Sequence, residues 1–425
     1  MERAPREAWI LASGADQVPG LLANVCGIPH LLRLACDLAM AGARSIYVVV
    51  GHAPTSGVAS IANDPRLAAR ASLYVVTSPP PGDLREPVFV VRADRVFHRD
   101  LPGALVAAWR ARDGARLVKI AGAEHDAIVV TDRTAGVRLA AAWDDELAAL
   151  ASAGAIAEAA PPYMAFTAAP RDARALRRTE WRLVRSLRKS ADGIMAKALN
   201  RRISLPITRV LCKTRVHPNH VTLFALACAV AGALVLGRGG YLAGVVGMLL
   251  VELGSIVDGI DGELARLRFQ FSRAGQWLDT VVDDLANVAY ATGAMVHLHH
   301  DGVAWALPIG VAALAAFAIT QATQYFLITY IYRSGDLAAI PWAFQSSTFL
   351  SQRPASVRAR VAATIPKLLK RDFVVTAFVV CALLGRLDIV LGVFATGAFA
   401  FFGVLFVQLF RNLPAIRSHR AANSR

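Results

Sequence analysis

The chain lacks a disulfide framework: its five cysteines, Cys26, Cys36, Cys212, Cys228 and Cys381, are odd in number and scattered. That excludes the small stapled folds and points to a reducing compartment. No Cys/His spacing of the zinc type occurs, and no basic-aromatic platform, so nothing argues for nucleic acid as a partner. The opening from Met1 to Trp9 has no apolar core. No cleavable signal peptide is therefore expected, and the first domain is expected to stay in the cytoplasm. Charge is scarce as well: charged residues make up 18% of the 425 and hydrophobic ones 55%. The deficit is concentrated after about residue 217. Acidic residues are the minority, 31 against 46 Lys and Arg, for a net charge of +15. The basic residues sit mainly beside apolar runs, which suits an anionic membrane face better than a nucleic acid.

The first 170 or so residues alternate short β-rich runs with helical stretches. Candidate strands lie at 9–12, 45–51, 72–76 and 88–91, with a helical run at 28–41. This rhythm predicts an α/β, Rossmann-like domain with a largely parallel sheet. Its details resemble the sugar-nucleotide-type nucleotidyltransferases. Leu11-Ala12-Ser13-Gly14-Ala15-Asp16 matches their Gly-rich nucleotide loop, and Gly27-Ile28-Pro29-His30-Leu31-Leu32 the segment that follows. Val90-Val91-Arg92-Ala93-Asp94 is similar to the strand that ends in a metal-binding aspartate. The loop lacks the family's second glycine and its basic residue. Pro19-Gly20-Leu21-Leu22 stands where a lysine is usual, and Tyr163-Met164-Ala165-Phe166-Thr167 has no second carboxylate. One aspartate without a partner or a cationic clamp holds Mg²⁺ and a triphosphate poorly. The front domain is therefore expected to be degenerate, with a scaffolding or regulatory role, and Asp94 reads equally well as a strand-end cap.

Residues 171–215 place Trp181, Val184, Leu187, Ile194 and Leu199 among Arg182, Arg185, Arg188, Lys189 and Lys197. That is the pattern of a basic amphipathic segment at a membrane surface. Six apolar stretches follow, at 219–237, 240–257, 277–298, 303–332, 372–386 and 388–410. Each is read as a span, the fifth only marginally long enough. Basic residues flank alternate ends, which predicts both termini on the cytoplasmic side of the cell membrane. His297, His299 and His300 fall at the far end of the third span and are read as interfacial.

The chemistry gathers between the second and third spans. Asp258-Gly-Ile-Asp261-Gly262-Glu-Leu-Ala265-Arg266 is followed by Gly275, Asp279 and Asp283. Carboxylates three and four residues apart share a helix face, so two antiparallel helix ends bring four together. Ionised carboxylates at the edge of hydrocarbon are costly and persist where they bind a cation or line a wet cavity. Oxygen donors of this kind suit Mg²⁺ or Mn²⁺. Salt bridges to the loop arginines are the competing explanation, but they leave the glycines unexplained.

The whole pattern, D-x2-D-G-x2-A-R-x8-G-x3-D-x3-D, resembles the signature of the CDP-alcohol phosphotransferases at every position. Pro218-Asn219-His220-Val221-Thr222 looks like that family's motif at the start of its first span. Lys189-Ser-Ala-Asp192-Gly193, Asn200-Arg201-Arg202-Ile203-Ser204 and Lys370-Arg371-Asp372 resemble the fused proteins that join an inositol-phosphate cytidylyltransferase to a di-inositol phosphate phosphate synthase. The resemblance implies a soluble domain over 1–170, a juxtamembrane segment over 171–215, a six-span all-α domain over 216–412 and a basic tail over 413–425.

It implies a CDP-alcohol donor held by Asp258, Asp261, Gly262, Ala265, Arg266, Gly275, Pro218, Asn219 and Thr222. Metal would be held by Asp258, Asp261, Asp279 and Asp283. CMP would leave as an acceptor hydroxyl attacks, with Asp283 as general base or as a further ligand. A phosphorylated acceptor calls for cations, and Arg202, Lys213, Arg273, Arg333 and Arg371 are the candidates. A homodimer in a lipid bilayer is expected by analogy. Two alternatives stay open: a bifunctional enzyme that also makes its CDP-alcohol from CTP, and a non-catalytic transporter or anchor.

Overall fold

The computed structural model describes residues 4–12, 17–50, 57–83, 86–112, 115–121, 127–159, 167–168, 172–188, 193, 195–332 and 371–423. The chain divides into two compact units. The first holds residues 1–190 with two later pieces, 208–215 and 264–270; the second holds the remainder.

The first unit is built on a seven-stranded sheet. Its strands are β1 (Glu7–Leu11), β4 (Ser45–Val49), β5 (Ser72–Val76), β6 (Pro87–Arg92), β8 (Leu117–Ile120), β9 (Ile128–Asp132) and β10 (Ile156–Ala159). The intervening β2 (Asn24–Val25) and β3 (Ile28–Pro29) form a small hairpin, and β7 (Val96–Phe97) pairs with β11 (Thr167–Ala168). The sheet order is β10-β8-β9-β6-β1-β4-β5, parallel except that β9 runs against both neighbours. The four expected strands are β1, β4, β5 and β6; β8, β9 and β10 were not legible in the sequence. Strand side chains alternate between two cores, as a period of two requires. Ala8 and Ile10 of β1 join one cluster, Trp9 and Leu11 the other. Helices α2 (His30–Met40) and α5 (Leu101–Ala111) cover the first face, and α6 (Arg133–Ala141) and α7 (Trp143–Ser152) the second. Three shorter helices, α1 (Gln17–Leu22), α3 (Val58–Ala62) and α4 (Pro65–Ala68), lie between strands. On the second face Gly136 is required: a Cβ there would meet Trp9 Cζ3 at 2.9 Å and Val88 Cγ2 at 3.1 Å.

Helix α2 carries buried charge on its core side. Burial pushes the Asp37 carboxyl from 3.8 up to about 7, with Arg33 opposing. Burial, reinforced by Arg33, lowers His30 from 6.5 to about 4. The raised carboxyl keeps its proton in the fold where the unfolded chain has lost it, so its contribution falls as pH rises from about 4 to 7. The depressed imidazole refuses a proton that the unfolded chain takes, so its contribution is lost as pH falls below 6.5. Each slope is about 1.4 kcal/mol per pH unit, and the two oppose one another. Asp37→Asn removes the falling one. Its thermal stability relative to wild type is expected to climb steadily between pH 4 and 7, and a constant difference over that range would refute the assignment.

The linking segment folds as α8 (Ala173–Arg185) and α9 (Arg201–Leu211), with a π-helical stretch at Ala196–Asn200 before the latter. Its apolar positions are divided. Leu183, Val184 and Leu187 are buried, whereas Leu199, Ile203, Ile207 and Val210 are exposed at helical spacing. Lys189, Asp192 and Ile194 lie outside the described residues.

The second unit is helical: α10 (Pro218–Leu236), most of α11 (Tyr241–Arg268), α12 (Arg273–His300), α13 (Ala306–Phe326) with a π-helical extension Leu327–Tyr332, α14 (Arg371–Leu383) and α15 (Leu387–Asn423). Among the described residues, six helices stand where six spans were expected, but four are long and apolar enough to cross a bilayer: Pro218–Leu236, Tyr241–Arg268, Ala306–Tyr330 and Leu387–Val407. They mark the protein as membrane-integral. The apolar run of α12 is broken by Asp279, Asp283 and Asp284, and the described part of α14 has 13 residues. Small residues let the helices close up, as bilayer packing demands. A Cβ on Gly232 would meet the Gly247 oxygen at 2.7 Å, one on Gly254 the Ala225 oxygen at 2.9 Å, and one on Gly293 the Ala233 oxygen at 2.8 Å. Of the three histidines read as interfacial, His299 and His300 are exposed. His297 is buried, with Nδ1 2.9 Å from the Leu236 oxygen.

Candidate functional site

Helices α10, α11 and α12 together place the acidic residues. His217 caps α10 by accepting from the Asn219 amide, and Pro218 occupies the first turn, where its missing N–H costs nothing. One turn on, the buried Thr222 hydroxyl donates to Asp261 and fixes that carboxylate. Asp258 and Asp261 lie one turn apart on α11. Ser272 caps α12 by accepting from the Gly275 amide at 2.9 Å, which starts the helix at Arg273, six residues before Asp279. Carboxylate oxygens of Asp258, Asp261 and Asp279 then lie within 4.8 Å of one another.

Arg371, at the start of α14, pairs with Asp283 and stands 3.6 Å from Asp258. It thus ties α11 to α12 across the acidic cluster. Asp258 Oδ1 is buried and has no hydrogen-bond partner among the described residues. An orphaned carboxylate oxygen beside two further carboxylates is the donor set that a hard divalent cation takes. Running from Asp258 and Arg371 is a small, partly open cleft, with Ala225, Ala229, Gly254 and Ala286 among its small-residue walls.

The other candidate residues are placed as follows. Gly275 lies against α10: a Cβ there would be 2.9 Å from Ser272 Oγ and 3.3 Å from Asn219 Oδ1. Gly262 is half-buried beside Asp261, and Ala265 and Arg266 are half-buried on the next turn of α11. Of the cations considered for an acceptor, Arg371 is in the cluster. Arg202 and Arg273 are exposed, and Lys213 Nζ lies 2.7 Å from Glu180 in the first unit. Arg333 lies outside the described residues. In the first unit Asp94 receives the guanidinium of Arg92 at 3.2 Å and that of Arg95 at 3.7 Å. Most of the Gly-rich loop, Ser13 to Asp16, lies outside the described residues, as do Tyr163 to Phe166.

Three contacts around the site went unread in the sequence. Glu263, fully buried, pairs with Arg201 and accepts from Ser204 at 2.7 Å, which holds α9 to the back of α11. Asp372 accepts from the Ala196 amide at 2.7 Å, and a Cβ on Gly193 would collide with its carboxylate. Asp284, next to Asp283 but turned to α13, accepts from Tyr325. A charged residue in the variable part of an acidic motif is the one signal that marked Glu263. Its partner lies 62 positions away, and no local spacing reveals it.

Residues 215–350 match the family model described as CDP-alcohol phosphatidyltransferase. The bifunctional IPC transferase and DIPP synthase of Thermococcus kodakarensis is 37% identical over 124 residues, 28% of this chain and 28% of that protein. The protein of the same name from Aquifex aeolicus is 32% identical over 107 residues, 25% of this chain and 24% of that protein. A phosphatidylinositol phosphate synthase of Mycobacteroides abscessus is 32% identical over 102 residues, 24% of this chain and 46% of that protein. The chain thus spans about a quarter of the length of the bifunctional relatives it matches. Within the membrane-integral part, it carries a CDP-alcohol phosphatidyltransferase domain.

Proposed function

We propose that this protein transfers a substituted phosphate from a CDP-alcohol to an acceptor hydroxyl and releases CMP, in the synthesis of a phospholipid or an inositol-phosphate diester. One observation carries the reading: Asp258, Asp261 and Asp279 bring their oxygens within 4.8 Å of one another inside the segment that matches the family model. Asp258, Asp261 and Asp279, with Asp283 beside them, are the residues that would hold Mg²⁺ or Mn²⁺. Such ions neutralise charge on a diphosphate and its leaving group.

The chain's own groups do the rest. Asn219, Thr222, Gly262, Ala265, Arg266 and Gly275, with Pro218 fixing the first turn of α10, bound the space for the donor's CMP half. The two glycines keep side chains out of it. Thr222 holds Asp261 in orientation. The acceptor oxygen forms its bond to the phosphorus distal to cytidine, the bond to CMP breaks, and Asp283 takes the hydroxyl proton. Arg371 is the best supported of the acceptor-binding cations, since it already sits among the carboxylates. Arg202, Lys213, Arg273 and Arg333 complete the proposed set. The protein is proposed to act as a homodimer in the cytoplasmic membrane, with both termini on the cytoplasmic side.

A second reading, in which the α/β unit also makes the CDP-alcohol from CTP, draws on the bifunctional relatives. The sequence departures in the nucleotide loop weigh against it, as do the arginines that occupy Asp94. Purified protein given a panel of CDP-alcohols and acceptors, with products identified by mass spectrometry, tests the transfer. No CMP from any donor would end the proposal. Pyrophosphate release from CTP and inositol phosphate would establish the second reading.

A further inference from the structure

The last turn of α11 is part of the first unit's core, although the helix also carries Asp258 and Asp261. The helix ends in a closed turn in which the Gln270 amide donates to the Ala265 oxygen at 3.0 Å. The position between that needs a left-handed backbone is Phe269, at φ 57°. Glycine usually fills it, because a side chain there is strained by about 1–2 kcal/mol. Phe269 is buried to 5% exposure within the main core cluster of the α/β unit, beside residues of the sheet and α2. The buried ring compensates for the strained backbone.

Two arginines complete the grip. Arg33 of α2, itself 3% exposed, donates to the Leu267 oxygen at 3.0 Å and to Val25 at 2.9 Å, and its guanidinium lies over the Phe269 ring at 5.7 Å. Arg66, held by Asp64 at 2.6 Å, donates to the Arg268 oxygen at 3.3 Å. Both cations therefore satisfy carbonyls at the negative end of the α11 dipole. Arg268 in turn donates to the oxygens of Leu211 and Cys212 at the end of α9, at 2.7 and 3.1 Å. Gly27 abuts the same carbonyl: a Cβ there would collide with the Cys212 oxygen.

We infer that Arg33, Arg66 and Phe269 are positioning residues for the carboxylate cluster. They fix the height and rotation of the last turn of α11, and through that continuous helix the setting of Asp258 and Asp261. This rests on reading the cluster as the phosphotransfer centre. It gives the α/β unit a part in the reaction that needs no nucleotide chemistry of its own. Asp261 precedes Leu267 by six residues, about 9 Å along a helix, so slack at the end is transmitted as a shift or rotation of the carboxylate.

The test uses the full-length protein with Phe269→Ala, Phe269→Leu, Arg33→Gln and Arg33→Lys. Three quantities are read: Mn²⁺ affinity by electron paramagnetic resonance, amide exchange of residues 258–268, and kcat and donor KM for CMP release. Phe269→Ala and Arg33→Gln are expected to weaken Mn²⁺ several-fold and speed exchange in that segment. They should lower kcat by roughly tenfold or more with donor KM changed much less, as misplacement by a fraction of an ångström does. Phe269→Leu and Arg33→Lys should recover most of the loss. Wild-type Mn²⁺ affinity and exchange in both Phe269→Ala and Arg33→Gln would overturn the inference. Should Phe269→Ala fail to fold, Arg33→Gln, which keeps the aromatic plug, decides by the same readings. If the unaltered protein releases no CMP, the transfer reading falls, while Mn²⁺ affinity and exchange still judge the clamp.

Discussion

Replacing Asp279 by Asn is expected to abolish CMP release almost completely, by about 10³-fold or more, the scale on which loss of one group aimed at developing charge is felt. The substitution is nearly isosteric, so folding should survive. What changes is charge at a point where three carboxylates meet within 4.8 Å. That arrangement is tolerable in a membrane-integral protein only when a cation offsets it. Arg371 offsets Asp258 and Asp283. An amide at position 279 removes one anionic ligand, so Mn²⁺ affinity should fall in step with activity, by roughly tenfold or more. Asp284→Asn is the matched control. It alters the same helix five residues on, at a carboxylate whose partner is Tyr325, and activity should stay close to wild type. If Asp279→Asn keeps its turnover, the assignment of the cluster is wrong. Equal losses in both variants would instead mean that α12 tolerates no change of charge at all.

The sequence displayed the cluster more clearly than its surroundings. Asp258 and Asp261 are three apart and Asp279 and Asp283 four apart, and helical geometry alone aligns such pairs. Thr222 was legible through its motif, although its bond to Asp261 crosses between helices 39 residues apart. Glu263 with Arg201, and Phe269 with Arg33, were not legible. Their partners are distant in sequence, and the acidic or aromatic residue sits in a stretch where solvent exposure was the natural assumption. In the front domain, β1, β4 and β6 are largely buried on both faces, and β5, at the sheet edge with Ser72 and Tyr74 exposed, still reads as a β-rich run; all four announced themselves. The strand β10, with the sequence Ile-Ala-Glu-Ala, carries too little apolar pattern to separate it from a helix. The six expected spans met a similar limit. The apolar run of α12 is broken by the carboxylates of the proposed site, so hydropathy and function compete for the same residues.

Asp283→Asn is the substitution that separates proton transfer from metal binding. Asp283 belongs to the same face of α12 as Asp279, yet the three carboxylates that converge are those of Asp258, Asp261 and Asp279. Asp283 is held instead by Arg371, which also reaches Asp258. A carboxylate anchored by a guanidinium beside the cluster, 39% exposed, is accessible to an incoming hydroxyl and is not required to saturate the cation. The expected result is a loss of about 10²–10⁴ in kcat, the range for removal of a general base, with Mn²⁺ affinity within about threefold of wild type. Added small carboxylates such as formate should restore part of the rate if proton transfer alone was lost. A parallel collapse of Mn²⁺ affinity and turnover, with no rescue by formate, would make Asp283 a ligand and leave the proton to another acceptor.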